Sequence, residues 1–396
     1  IEKCTGINDT VYVWVEPTVE ISATGDTICN IGTTDIQVSS IQVPTRAVYY
    51  TYTSAPENAG AVTGNGSDLN GLPVTTPVTE TLTNGTNQAQ RVIYTLTPHV
   101  LRADGSIGCP GAPITVDVWV EPTVEISAFG DTICDTEFTD IDVSSGQYPT
   151  REVYYTYTSV PDNAGAVTGN TQNLVGLPIT TNIEDPLDNS TDSAQRVVYT
   201  LTPYVLRSDG SIGCPGDPIT VDIWVEPTPL VVASPVIDTI CGGDLTSIAL
   251  ESISRPTKPV RFRYTYTEPF GVSVTPGGPL SGLFRGDTIQ DQIENLSDTA
   301  KLVTYVITPY TTRPQDDQEK CTGINDTVYV WVSPTPIVIA TPQSDTLCNG
   351  DNVSIALESP SRPPKPVRFR YTYTEPYDVI VTPGGATEGL FRGDTI

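Results

Sequence analysis

The chain has 396 residues, and no run of about 18 apolar residues occurs, so no segment is predicted to cross a membrane. It carries 20 basic and 47 acidic residues, a formal net charge of −27, which argues against nucleic acid as a partner because phosphates would be repelled. The eight cysteines, with a single histidine, favour disulfides in an oxidising compartment over a zinc site.

A short sequence motif that contains tryptophan repeats along the chain. WVEPT occurs at Trp14, Trp119 and Trp224, and WVSPT follows at Trp331, with spacings of 105, 105 and 107 residues. The sequence lacks methionine and is cut inside a unit at both ends, so we expect it to be a segment of a longer array. We predict the C-terminal strand of a preceding repeat at 1–17, complete repeats at 18–122, 123–227 and 228–334, and the N-terminal part of a fourth repeat at 335–396.

Within one unit, short segments rich in Val, Ile, Thr and Tyr alternate with Gly, Pro, Asn and Asp. This pattern predicts an all-β sandwich, with no helical periodicity of useful length. The predicted strands of the second unit are, in chain order, 123–128, 139–145, 151–159, 174–181, 194–202 and 218–225.

The last predicted strand of each unit places its tryptophan on the outward face. Val221, Ile223 and Val225 alternate with Asp222 and Trp224, and the aliphatic set is expected to face the core. A Glu-Pro joint of a few residues follows, which favours an extended, semi-rigid rod. We expect Trp14, Trp119, Trp224 and Trp331 to pack at the junctions between units; an exposed ligand platform is the alternative.

The cysteines allow two regular pairing schemes. Pairing within a unit has a constant separation of 80 residues, whereas pairing across a short joint needs two extended segments to fold back on each other. We favour the first scheme. It joins Cys29 to Cys109, Cys134 to Cys214 and Cys241 to Cys321, and leaves Cys4 and Cys348 with partners outside the chain. The alternative joins Cys4 to Cys29, Cys109 to Cys134, Cys214 to Cys241 and Cys321 to Cys348.

Three motifs carry a family resemblance. The segments DTIC at 131–134, YTLTP at 199–203 and CPGDPITVDIWVEP at 214–227 resemble the PKD-like and immunoglobulin-like repeats of giant Bacteroidota surface adhesins, SprB-like gliding adhesins among them. The resemblance covers nearly the whole chain. It implies tandem immunoglobulin-like sandwiches, export by the type 9 secretion route and a place at the cell surface.

A tripeptide of Asp, then Ser or Thr, then an aliphatic residue or Ala resembles the O-glycosylation signal of the same phylum. Asp-Thr can equally open or turn a strand. The candidate sites are Thr10, Thr27, Thr132, Ser193, Thr239, Thr288, Thr299, Thr327, Thr346 and Thr395.

No catalytic site, cofactor or metal is expected. His99 is the only histidine and Tyr204 replaces it in the next unit, so a repeated nucleophile–base pair is not possible. Calcium is the nearest candidate, but the acidic turns at Asp104 and Asp209 lack the carboxylate density of a calcium loop.

The sequence therefore predicts a non-enzymatic, extracellular stalk that projects adhesive regions for attachment or gliding. Its expected partners are neighbouring repeats, with surface polysaccharide or lateral copies of the chain as further candidates. A carbohydrate-binding module, or an accessory region of a secreted polysaccharide-degrading enzyme, is the alternative.

Overall fold

The computed structural model describes residue 3 and residues 6–207, 209–313 and 316–396. All regular structure in these ranges is β-strand, and no helix in them is long and apolar enough to cross a membrane. Cys4 lies outside the described residues.

The strands fall into three full sets and one partial set. The first unit contains β1 (Ser22–Ala23), β2 (Asp26–Ile28), β3 (Gly32–Thr33), β4 (Val38–Ser39), β5 (Val48–Pro56), β6 (Val62–Thr63), β7 (Ser67–Pro73), β8 (Thr81–Asn84), β9 (Gln90–Leu101), β10 (Ile107–Gly108) and β11 (Ile114–Val120). The second contains β12 (Ser127–Ala128), β13 (Thr132–Ile133), β14 (Val143–Ser144), β15 (Val153–Pro161), β16 (Val167–Thr168), β17 (Gln172–Pro178), β18 (Asp188–Asn189), β19 (Gln195–Leu206), β20 (Ile212–Pro215) and β21 (Ile219–Val225).

The third unit contains β22 (Val232–Ser234), β23 (Ile237–Cys241), β24 (Ile248–Glu251), β25 (Arg261–Tyr266), β26 (Val272–Thr275), β27 (Ser281–Phe284), β28 (Thr288–Ile289), β29 (Gln292–Asn295), β30 (Lys301–Thr312), β31 (Glu319–Thr322) and β32 (Asp326–Ser333). The partial set contains β33 (Ile339–Thr341), β34 (Ala356–Glu358), β35 (Arg368–Arg370) and β36 (Glu388–Phe391).

The larger sheet has the same strand order in all three full units. In the second unit this order is β13-β21-β19-β15-β17, with β20 added to β19 as a hairpin. The early strand β13 pairs in parallel with the last strand β21, whereas β19 runs antiparallel to both β21 and β15. Since the early and last strands run in the same direction, both end at the edge of the sandwich that faces the next unit.

Each unit buries a core of its own between this sheet and the shorter strands opposite. The second core includes Ile141, Leu187, Val197 and Ile223, which are nearly or fully inaccessible to solvent, and the other two units repeat the arrangement. Residues 219–225 alternate between outward and inward positions as predicted, because the aliphatic side chains fill the core. The predicted fold class of tandem immunoglobulin-like, PKD-like β-sandwiches is confirmed.

Each of the three full units also has a carboxylate beside its core tyrosines, which is buried in the second and third units and partly exposed in the first. In the second unit, Asp185 accepts hydrogen bonds from the Tyr199 hydroxyl at 2.8 Å and from the Thr171 backbone N–H at 2.9 Å. Burial, and then the neighbouring Asp185, raise the pKa of Tyr199 above its ordinary range. Glu80 accepts the hydroxyl of Tyr94 in the first unit, and Asp291 accepts that of Tyr264 in the third, where the Tyr305 hydroxyl has no partner among the described residues. These carboxylates satisfy tyrosine hydroxyls that would otherwise be buried without partners.

Candidate functional site at the junctions between units

The two cysteines of one unit lie at opposite ends of its sandwich. Cys134 directly follows β13 and lies at the end that faces the next unit. Cys214 lies in β20, the hairpin strand that pairs with the far end of β19. The twelve-residue strand β19 connects these ends, and a strand of that length spans about 40 Å.

Disulfides therefore join consecutive units. Cys29 of the first unit is bonded to Cys214 of the second, with their Cα atoms 5.2 Å apart. Cys134 of the second unit is bonded to Cys321 of the third, with a Cα–Cα distance of 5.6 Å. In both cases the cysteine after the early strand of one unit reaches the hairpin cysteine of the next.

The predicted pairs Cys29–Cys109, Cys134–Cys214 and Cys241–Cys321 are wrong, and so is the alternative scheme. Within one unit the two cysteines are a strand length apart, far beyond the roughly 5–6 Å that a disulfide requires. The constant separation of 80 residues reflects only the length of the repeat. Among the described residues, Cys109, Cys241 and Cys348 have no bonded partner.

A glycine fixes the position of each hairpin cysteine. Gly216 follows Cys214 by two residues and donates its backbone N–H to the carbonyl of Pro203 at 2.8 Å. A Cβ atom at Gly216 would lie 1.8 Å from the carbonyl oxygen of Val124, so this close backbone approach admits only glycine. Gly323 has the same surroundings, and the change from CPG to CTG in the third unit therefore leaves the hairpin intact.

A glutamate clamp accompanies each disulfide. The carboxylate of Glu121, which follows Trp119 and Val120, accepts hydrogen bonds from the backbone N–H and the hydroxyl of Thr150 in the next unit. Glu226 and Thr257 repeat this contact at the second junction. Both glutamates are 2% exposed.

The sequence reading missed this clamp, although a signal for it exists. At the third junction Ser333 replaces the glutamate, and Pro364 stands where Thr150 and Thr257 stand in the earlier units. Proline has no N–H to donate. Acceptor and donor are therefore lost together, which is the pattern expected of two residues in contact.

Backbone hydrogen bonds add a further link at each junction. The N–H of Tyr148 bonds to the carbonyl of Asn87 at 2.8 Å, and the N–H of Arg255 bonds to the carbonyl of Asp192 at 2.6 Å. At the second junction, the Lys320 ammonium also lies 3.6 Å from the Glu137 carboxylate. At the first two junctions, the disulfide and the hydrogen bonds thus meet at the same edge of the sandwich and restrict hinging between units.

Trp119, Trp224 and Trp331 lie on the outward face of the large sheet, as their alternation predicts, whereas Trp14 lies outside the strands. Trp119, Trp224 and Trp331 are 37%, 38% and 40% exposed, and Trp14 is 80% exposed. Trp119 lines a cleft of about 720 Å³ between the first and second units, together with Arg151 and Arg207 of the second. Their role in junction packing stays a prediction, and their half-exposure keeps the ligand-platform alternative open.

The Asp-Thr tripeptides open strands in several places. Asp131 accepts the N–H of Thr132 at 2.7 Å, and Asp26 accepts the N–H of Thr27 at the same distance. Thr27 and Thr132 lie directly beside Trp119 and Trp224 in the parallel strand pairs. A sugar on either threonine would extend over the outer face of the sheet, and glycosylation of the ten candidate sites stays a prediction.

The sites considered for metal binding and catalysis have local structural roles. Asp104 accepts hydrogen bonds from the N–H and hydroxyl of Ser106, which hold its pKa below the ordinary value. Asp209 and Ser211 repeat this turn, and no group of three or more potential metal ligands occurs among the described residues. His99 is 1% exposed, and neither ring nitrogen has a hydrogen-bond partner in the described structure.

A model of the PKD-like domain family matches residues 26–124 and 131–229, which together make up half of the chain. The chain therefore belongs to the PKD-like domain family. A sequence comparison with curated proteins gives no match. Two disulfides that join such domains indicate an oxidising, extracellular setting.

Several cadherin structures are similar over most of the chain. The human desmocollin-1 ectodomain has 12% identity and a TM-score of 0.26, with 87% of this chain and 66% of that chain covered. Mouse cadherin-23 EC22-24 has 11% identity and a TM-score of 0.28, with 80% and 99% covered. Drosophila N-cadherin EC1-4 has 10% identity and a TM-score of 0.27, with 82% and 76% covered. These TM-scores carry no functional argument.

Proposed function

We propose that the chain is a non-enzymatic segment of a large bacterial surface adhesin or filament, where it acts as a disulfide-stapled stalk. The observation that carries this proposal is the bond between opposite ends of consecutive units, Cys29 to Cys214 and Cys134 to Cys321. Bonds of this kind strengthen the connection between units, because each one joins two units and neither closes a loop within one unit. This arrangement suits a molecule that must transmit force from unit to unit.

The other junction contacts support the same role. The clamp between Glu121 and Thr150 and the backbone bond between Tyr148 and Asn87 lie at the same edge as the bridge. At the first two junctions such contacts connect the units at separate points, so that bending at the short joint would break several contacts at once. The net charge of −27 adds repulsion along the stalk and favours an extended molecule.

The proposed location is the outer surface of the cell, with export by the type 9 route and a part in surface attachment or gliding. The sequence resemblance to giant Bacteroidota adhesins supports these assignments. In this setting, neighbouring repeats are the immediate partners, and lateral copies or surface polysaccharide are further ones.

Stretching of single molecules tests the stalk. The full chain, held by its two ends, is pulled before and after reduction, and the variant Cys241→Ser serves as the control because Cys241 is unbonded. We expect the oxidised chain and the control to release far less length than the reduced chain. Equal released lengths with and without the bridges would refute a load-bearing role.

A carbohydrate-binding module is the second candidate, because Trp119 is half-exposed and lines a cleft with Arg151 and Arg207. Planar aromatic and arginine side chains are frequent in such sites. Binding of the full chain to arrayed polysaccharides, compared with binding of Trp119→Ala, separates the two functions. Tryptophan-dependent binding by the chain itself would favour the module over the stalk.

A further inference from the structure

We propose that Cys241 is one half of a third junction disulfide, whose other half is the hairpin cysteine of the PKD-like unit that begins in residues 335–396. The inference deepens the proposed stalk function, since it names the partner that the third unit binds covalently. Its support comes from the geometry of the two junctions that are already bonded.

The structure presents Cys241 in the same way as the bonded cysteines that follow an early strand. The residue three positions after each cysteine donates its N–H to that cysteine's carbonyl, at 2.9 Å for Cys29, 3.1 Å for Cys134 and 3.1 Å for Cys241. The Glu137 carboxylate also accepts the backbone N–H of Cys134, and the Asp244 carboxylate accepts the backbone N–H of Cys241. Cys241 is exposed, so its thiol is open to a partner at this edge.

An independent observation concerns how residues 335–396 sit on the third unit. The N–H of Arg362 bonds to the carbonyl of Asp298 at 2.6 Å, which is the contact that Arg255 makes with Asp192 at the second junction. Thr299 and Arg362 form a parallel bridge, as Ser193 and Arg255 do. The third junction is therefore assembled like the first two, even though Ser333 and Pro364 have replaced its clamp.

The partial set of strands shows where the hairpin belongs. β35 pairs with β36 as β25 pairs with β27 in the third unit, with an irregularity at the equivalent position. In the third unit the other edge of β25 is covered by the long strand β30, which carries the hairpin and Cys321. A long strand on the free edge of β35 would bring its hairpin to the edge of the third unit where Cys241 lies.

The other unbonded cysteines fit the same scheme. Cys348 has the turn of the early-strand cysteines, with the N–H of Asp351 bonded to its carbonyl at 3.1 Å. Cys109 occupies the hairpin position. The hairpin strand extends through Cys214 and Cys321 in the bonded units but ends at Gly108 next to Cys109. The partner that each one fits is the complementary cysteine of another such unit.

The bond forms by oxidation of two thiols. Each thiol loses its proton, and the pair gives two electrons to a disulfide oxidant, such as oxidised glutathione, which leaves as two glutathione thiols. A sulfur–sulfur bond then joins Cys241 to the hairpin cysteine.

The test extends the chain at its C-terminus with a second copy of residues 290–334. The extension continues the repeat in register, because residues 389–396 are identical to residues 282–289. After refolding with oxidised glutathione, disulfides are mapped by peptide mass spectrometry without reduction. We expect most molecules to hold a bond between Cys241 and the added copy of Cys321, and maleimide labelling of Cys241 to fall at least tenfold relative to the unextended chain.

A second chain keeps the test conclusive if the extension of the first chain misfolds. It replaces residues 335–396 with a second copy of residues 123–227, and we expect Cys241 to bond to the copy of Cys214. Cys241 that stays reactive in both chains, while Cys29–Cys214 and Cys134–Cys321 form, would overturn the inference. So would a bond from the added cysteine to Cys348, or pairing of Cys241 between molecules. Such a failure would leave the stretching result of the unextended chain intact, so the two proposals fail separately.

Discussion

Thr150 donates both its backbone N–H and its hydroxyl to the carboxylate of Glu121, a residue of the preceding unit that is 2% exposed. The linker that ends one unit is thus hydrogen-bonded to a loop of the next unit. Replacement of Glu121 by Ala leaves the Thr150 donors without an acceptor at a buried site. We expect a loss of about 2–3 kcal/mol in the stability of the coupled pair of units, as for hydrogen bonds to charged groups.

Urea denaturation of the full chain measures this loss, and a double-mutant cycle with Thr150→Ala assigns it to the pair. Ser333→Ala is the matched control, since Ser333 occupies the same position without a clamp. A coupling energy near zero in the cycle would show that the two residues contribute independently.

Loss of one inter-unit bridge should weaken two units at once. Cys29 and Cys214 are 185 residues apart in sequence, and closure of a loop of that length is nominally worth about 5 kcal/mol. We expect the variant with Cys29→Ser and Cys214→Ser to melt at a lower temperature, with the first and second units no longer unfolding together. Calorimetry of this variant beside Cys241→Ser checks the result. A transition unchanged from that control would mean that the bridge stabilises neither unit.

His99 makes the first unit sensitive to acid. Burial lowers the pKa of His99 below its ordinary value of 6.5, so the folded unit keeps the ring neutral while the unfolded chain takes up a proton. Stability is therefore fully present above about pH 6.5 and falls as the pH drops below it, by up to about 1.4 kcal/mol per pH unit. His99→Tyr introduces the residue that the second unit has at this position, Tyr204.

Urea midpoints at pH 7 and pH 5 test this, because other titrating groups contribute equally to both proteins. We expect the parent chain to lose more stability than His99→Tyr over this interval. An identical loss in the two proteins would mean that His99 is protonated as easily in the folded unit as in the unfolded chain.

The hairpin glycine should control formation of the bridge. Gly216→Ala places a Cβ atom 1.8 Å from the carbonyl oxygen of Val124, so the hairpin that carries Cys214 must move. We expect a cost of about 1–3 kcal/mol and a smaller fraction of molecules with the Cys29–Cys214 bond after refolding. Gly146→Ala is the control, because a Cβ atom there has nothing within 4 Å. Thiol counting under denaturing conditions gives the bonded fraction, and equal fractions in both variants would contradict this role.

The strands could be predicted from sequence because their periodicity is local. Val221, Ile223 and Val225 alternate with outward residues, and burial of the aliphatic face follows directly from that spacing. The outward position of Trp224 could be predicted from the sequence for the same reason.

The disulfides could not be predicted in this way, because every spacing between cysteines repeats with the unit. Whether Cys134 faces Cys214 or Cys321 depends on the parallel pairing of β13 with β21, which places Cys134 at the far edge of its own unit. The contact between Glu121 and Thr150 was difficult to predict for a similar reason, because the two residues are 29 positions apart. The only sign of it in the sequence is that both positions change together, to Ser333 and Pro364.

The two bridges also change what a cut in the backbone does. The loop closed by Cys29 and Cys214 overlaps the loop closed by Cys134 and Cys321 over residues 134–214. A protease that hydrolyses any single peptide bond between Cys29 and Cys321 therefore leaves both ends of the chain in one covalent molecule, since one bridge always bypasses the break. Severing the molecule there takes a second cut or a reductant.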